Sequence, residues 1–186
     1  MMMKTTLMLV LFVCLSIVIV RLFQRKLFDK HKDAMSDQLL DMLNTRLDHT
    51  SEKRYLESLR SLSLGQRAIY STWIVQCEVE NGGFAQYFWN MEEEGFYDEA
   101  IIGFAHLEAT AHLKIFEEAL ESIRPHLQNM HKMQGTQDRF TLYKPLLQRE
   151  DLYDKFIELD CKFYDLRPSL EEIRLEYIKL HPEVKR

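Results

Sequence analysis

The chain reads as all-α, a compact multi-helix domain preceded by a single N-terminal transmembrane helix. Three observations carry that reading. Residues Thr5 to Val20 hold no charge. Beyond them, apolar residues recur at i, i+3 or i+4 and i+7 almost everywhere, the period of a helix with one buried face. No alternating run is long enough to be a strand.

The apolar run is bounded by Lys4 on one side and by Arg21, Arg25 and Lys26 on the other. Its sixteen residues make roughly 24 Å of helix, a little short of a ~30 Å hydrocarbon core, and Lys4 and Arg21 can snorkel to close the difference. A secretory signal peptide needs small residues of the Ala-x-Ala kind after its apolar run. Ile17-Val18-Ile19-Val20-Arg21-Leu22-Phe23-Gln24 offers none, so residues 1–26 read as an uncleaved anchor. Lys4 stands alone before the span, whereas Arg21, Arg25, Lys26, Lys30 and Lys32 follow it, and the positive-inside rule then places the C-terminal domain in the cytoplasm. Residues 27–36 form a charged connector to a helical domain over 37–186.

Within the domain the stripes come in order. Leu40, Leu43 and Leu47 make the first, Tyr55, Leu59 and Leu62 the second, and Tyr70, Ile74 and Cys77 the third. The helix through Trp73 and Cys77 should end near Asn81, where Gly82 and Gly83 can take the positive φ of a tight helix-to-helix corner. Phe84 and Phe88 then share a face with Tyr87 adjacent, which suits packing into the core. Ala100, Phe104, Leu107 and Ala111 line the next face, and Leu113, Phe116, Leu120 and Ile123 another before Pro125 stops the helix. Residues 126–145 read as a loop or a short broken helix. Leu152, Phe156, Leu159, Phe163 and Leu166 form a long stripe that Pro168 ends, and Ser169 with Glu172 makes a capping box for a last helix carrying Leu170, Ile173, Tyr177 and Leu180. Cys77 and Cys161 lie far apart, with no C-x-x-C spacing, and are expected to be reduced and packed in the core.

Charge is distributed unevenly. After residue 26 the chain has 20 basic against 29 acidic residues, a formal charge of −9. From Ala68 to Ile123 there are eleven acids and one base, Lys114. Direct nucleic-acid binding there is disfavoured, because phosphate contacts require clustered Lys and Arg. Two readings of the acids stay open: a face that keeps the protein soluble, or a face that receives a basic protein, formed by Glu78, Glu80, Glu92, Glu93, Glu94, Asp98, Glu99, Glu117 and Glu121.

No residue pattern points to a reaction. Glu108 and His112, with His106 nearby, are too few for a metal site, and the repeated E-x-x-H of a bundle metal centre does not occur. G-x-S-x-G is absent, neither Cys77 nor Cys161 has a histidine within a helical turn, and Gly82-Gly83 lacks the remainder of a P-loop. No cofactor and no catalytic residue is expected. A small-molecule pocket at Gln86, Tyr87 and Trp89 remains a further reading, as does a hydrolase with carboxylates near the glycine corner.

The segment E-x-x-N-G-G-F-x-Q-Y-F-x-N, formed by Glu78, Asn81, Gly82, Gly83, Phe84, Gln86, Tyr87, Phe88 and Asn90, resembles the bacterial DNA-mimic-protein family. Leu159-Asp160 with Phe163-Tyr164 and Leu166, and Tyr177-Ile178 with His181-Pro182-Glu183, are similar to its C-terminal half. The resemblance covers roughly residues 37–186 and leaves the anchor outside. It implies an all-helical acidic domain whose surface, in one branch, imitates duplex DNA and occupies the DNA-binding face of a transcription repressor. An immunity-type role against a basic toxin would use the same physics.

Overall fold

The computed structural model describes residues 36–91, 93–133 and 150–186. The expected anchor, the connector up to residue 35, Glu92 and residues 134–149 lie outside the described residues; of the loop expected over 126–145, residues 126–133 are helical and the rest falls among those not described. All regular structure among the described residues is helical: α1 over residues 36–45, α2 Glu52–Ser61, α3 Leu64–Asn90, α4 Glu94–His106, α5 Thr110–Met133, α6 Glu150–Asp165, α7 Leu170–Leu180 and a final 3-10 turn Pro182–Lys185. None of these helices is long and apolar enough to cross a membrane. The chain divides into one unit up to Met42 and another over Leu43–Arg186. The second holds everything described below.

Helix starts follow local chemistry. Ser51 caps α2 by accepting from the Arg54 N–H, and Ser63 with Gln66 closes a capping box on α3. The expected Ser169–Glu172 box opens α7. α3 is the centre of the unit, with α4, α5, α6 and α7 packed on it. It buries residues all round, including Ile69, Tyr70, Val75 and Val79, and Thr72 satisfies its hydroxyl on the Ala68 carbonyl at 2.8 Å. A helix apolar on every side belongs inside a core. α4 approaches it closely at Gly103, where a Cβ would lie 3.2 Å from the Ala68 carbonyl oxygen and from Thr72 Cγ2.

The aromatic block behind the double glycine packs as its spacing predicts. Phe84, Tyr87 and Phe88 are buried, and each lies within 5.5–6.3 Å of the Phe116 ring of α5. Phe104 joins from α4, and Phe163 and Phe156 from α6.

Four expectations need correction. Pro125 does not stop its helix: α5 runs from Thr110 to Met133 through it. Pro125 is exposed, as is Glu121, whose carbonyl loses the N–H it would have received, so water can satisfy that carbonyl in place of the helix bond. Ala111 is exposed and Ala109 buried in its place, because the chain turns at Glu108 and restarts the helical phase. Cys77 and Cys161 are free thiols but exposed, not packed in the core. In α7 the buried face is Leu170, Arg174, Leu175 and Ile178, whereas Leu180 is 69% exposed. The apolar stripe through Ile173, Tyr177 and Leu180 faces outward from that core.

Replacing Pro125 by alanine restores one helix hydrogen bond at an exposed site. It should raise unfolding stability by about 1–3 kcal/mol, read as an increase in the urea midpoint with unchanged slope.

Candidate functional site

The glycine corner is a break inside α3. Gly82 has extended backbone (φ −164°), and Gly83 takes φ +79° with ψ 178°, a combination essentially confined to glycine. The helix resumes at Phe84, whose N–H donates to Asp160 Oδ1 of α6 at 2.8 Å. A carboxylate 76 residues away thus caps the restarted helix. Burial raises the Asp160 pKa above the usual carboxylate value, and the Phe84 N–H opposes that rise. A Cβ at Gly83 would run into the same carboxylate, 3.0 Å from its Cγ. Across the break, Glu78 Oε2 accepts from Gln86 Nε2 at 2.9 Å and from Asn90 Nδ2 at 2.7 Å. Tyr164 of α6 donates to the Val79 carbonyl one turn before the glycines. Tyr87 is buried with its hydroxyl on the Phe96 carbonyl at 3.3 Å, and burial holds its phenol well above the usual range. The polar motif residues Glu78, Gln86 and Asn90 therefore bond one another, and Asn81 is exposed. Glu78 and Gln86 hold the corner together, and Tyr87 belongs to the core.

The acids of the central region separate into groups. Glu99 is 2% exposed and lies between Arg60 and Arg67: Arg60 Nε is 2.9 Å from Oε1, and Arg67 Nη2 is 2.8 and 2.6 Å from the two oxygens. Its expected place on a binding face is corrected here, since burial and two guanidinium groups remove it from contact with any partner. Glu118 pairs with Lys155 of α6, which lowers its pKa. Glu80 accepts from Gln76 Nε2 at 2.6 Å but stays exposed. Glu93, Glu94, Asp98, Glu117 and Glu121 are exposed with no ion pair among the described residues. Glu94 and Asp98 are one turn apart on α4, and Glu117 and Glu121 one turn apart on α5, where Lys114 and Arg124 flank them. Glu92 lies outside the described residues.

A cleft of about 460 Å³ lies between the end of α4 and the outward stripe of α7. Its apolar surface comes from Leu107, Pro168, Ile173 and Leu180. His106 Nε2 lies 2.8 Å from the Tyr177 hydroxyl, and the His181 ring stacks on Tyr177 at 4.3 Å while its Nδ1 reaches Glu183 at 3.1 Å. Glu108, Glu172 and Glu176 also line the cleft. Glu108 sits at the end of a Schellman turn, with the Ala109 N–H on the Phe104 carbonyl at 2.9 Å and its own N–H on Ala105 at 3.1 Å. Its φ of +55° is the left-handed conformation that glycine usually supplies there. Sequence spacing gave no sign of the cleft, because its walls are 60 or more residues apart. The outward apolar stripe of α7 was the one available signal, and it reads equally well as core.

Glu108 is exposed and lines the cleft, whereas His112 is buried. Among the described residues no group of three or more His, Cys, Asp or Glu could hold a metal ion. His112 is buried edge-on to Phe163 at 5.3 Å, and burial, with the nearby Arg174 charge, lowers its pKa to about 4. Arg174 is 2% exposed. One of its amines donates to Gln76, while Nε and Nη1 have no partner among the described residues. Burial lowers its pKa to about 10.

Gly83→Ala should cost about 3 kcal/mol or more, combining backbone strain with displacement of the Asp160 cap. In an Asp160→Ala background the extra cost should shrink, so a double-mutant cycle of urea midpoints reads the coupling directly. His112 gives a pH dependence of defined sign. It is neutral in both states above its ordinary value of 6.5, and below that the unfolded chain takes up the proton first. Stability should fall as pH drops from 6.5 to about 4, by about 3 kcal/mol in total from this group, and His112→Gln should flatten that part of the profile.

The geometry is that of an all-helical unit whose glycine corner opens onto the aromatic core and whose C-terminal Tyr177 and His181 lie by His106 at the end of α4. No curated protein and no solved structure matches the chain at a significant level. The family of DMP19-like proteins matches over residues 60–181, which takes in the corner, the capping aspartate and the last helix. The chain belongs to the DMP19-like protein family.

Proposed function

We propose that the domain is a protein-binding module that receives a basic partner on its exposed carboxylates, and that it does so tethered to the cytoplasmic side of a membrane through residues 5–20. The observation that carries this reading is the state of Glu93, Glu94, Asp98, Glu117 and Glu121, exposed and without an ion pair among the described residues. Where burial demands neutrality the fold supplies cations, as Arg60 and Arg67 do for Glu99. None of these five is held in an ion pair among the described residues, although Lys114 and Arg124 flank Glu117 and Glu121 on α5. Like charges one turn apart disfavour a helix by about 0.2–0.5 kcal/mol per pair, a cost that a cationic partner would offset. Membership of a DNA-mimic family supports the finer form, in which the carboxylates stand in for phosphates and occupy the DNA-binding face of the partner. Complementary charge would speed encounter, with screening over about 8 Å at physiological ionic strength.

The test compares the natural chain with a variant carrying Glu93→Gln, Glu94→Gln, Asp98→Asn, Glu117→Gln and Glu121→Gln, as baits on a membrane fraction at low and high salt. A basic protein held by the natural chain at low salt, released at high salt and absent from the variant is the expected result. Retention of the same proteins by both baits overturns the reading. The variant should melt at the same temperature or higher, which separates lost binding from lost folding.

A further inference from the structure

The cleft between α4 and α7 is built unlike the rest of the surface. α7 buries Leu170, Leu175 and Ile178 on one side. On the other it leaves Ile173, Tyr177 and Leu180, spaced four and three residues apart, along the cleft with Leu107 opposite. An apolar strip of this kind beside water is unfavourable by roughly 25 cal/mol per Å², which is the usual mark of a surface that something covers. The charged residues that line it have one sign. Glu108, Glu172 and Glu176 line the cleft, and no lysine or arginine does. Glu172 is engaged with the α7 N-terminus through the Ser169 N–H at 2.8 Å, and Glu176 with Lys179 at 3.2 Å on the exposed side. Glu108 has neither restraint.

We infer that this cleft docks a segment of the partner protein that sets lysine or arginine beside an apolar side chain. The apolar side chain would lie on Leu107, Ile173 and Leu180, and the cation would meet Glu108 and Glu176 at the rim. The volume, about 460 Å³, suits a few side chains, and not a folded domain. The same acidic rim disfavours an anionic lipid surface, which would bring like charge against it. The inference rests on the reading that the partner is basic, but it concerns residues other than the five α4 and α5 carboxylates, so the two can fail separately.

The probes are three twelve-residue peptides: leucine and lysine at helical spacing, the same with serine for leucine, and the same with glutamate for lysine. Binding to the isotope-labelled natural chain is followed by NMR. The leucine-lysine peptide should shift Leu107, Ile173, Tyr177, Leu180 and His181, and the other two should bind at least about tenfold more weakly. Leu180→Ser, at an exposed position, should weaken the first peptide about tenfold, and Glu108→Gln with Glu176→Gln should do likewise at low salt only. Equal binding of the serine-lysine peptide, equal binding of the leucine-glutamate peptide, or shifts confined to other residues each overturns the inference. Unchanged melting curves for the variants confirm that a lost shift is lost binding. If the peptide fails while the five-site carboxylate variant still loses its basic partner, the cleft assignment alone falls.

Discussion

The hydrogen bond from the Phe84 N–H to Asp160 is the constraint on which the rest of the unit depends. Gly83 turns the backbone into a conformation other residues avoid, and this leaves the first N–H of a restarted helix without an acceptor inside a packed core. An orphaned buried donor costs about 1–3 kcal/mol, so the acceptor must come from elsewhere in the chain. α6 provides it. In doing so it fixes the distance between α3 and α6, and with it the slot where Phe84, Phe88, Phe116, Phe156 and Phe163 meet.

That slot accounts for the motif. Its aromatic members fill the core, its glycines allow the break, and Glu78, Gln86 and Asn90 tie the two halves of α3 together on the outside. A carboxylate, two amides and a capping aspartate gathered at one corner resemble the contents of a polar site. Their bonds to one another and to the backbone give each of them a structural use. The acidic corner and the acidic surface are therefore separate things, although they adjoin in sequence.

The surface carboxylates obey a different rule. Glu99 is buried, and two arginines from α2 and α3 surround it, because a lone buried charge is prohibitively costly. Glu118 is partly covered and takes Lys155. Those that remain in water, on α4 and α5, need no such support and form no ion pair among the described residues. The cleft adds a second kind of surface, apolar with an acidic rim, assembled from chain segments 60 or more residues apart.

Helical period, capping boxes and the glycine break were legible in the sequence, because each arises from residues within about one turn of one another. The stripes through Leu43, Leu59, Phe104, Phe116 and Phe156 needed only their spacing to be recognised, and Ser169 with Glu172 marked a helix start without any neighbour. Which carboxylates stay bare was not legible, since Arg60 and Arg67 reach Glu99 only after α2, α3 and α4 have packed. Nor was the face of α7 that turns inward: Ile173, Tyr177 and Leu180 are as regular a stripe as Leu170, Arg174 and Ile178, and burial of an arginine runs against local preference. Local rules decide that a helix forms and where it begins. Only the competition among whole helices for one core decides which side of it meets water.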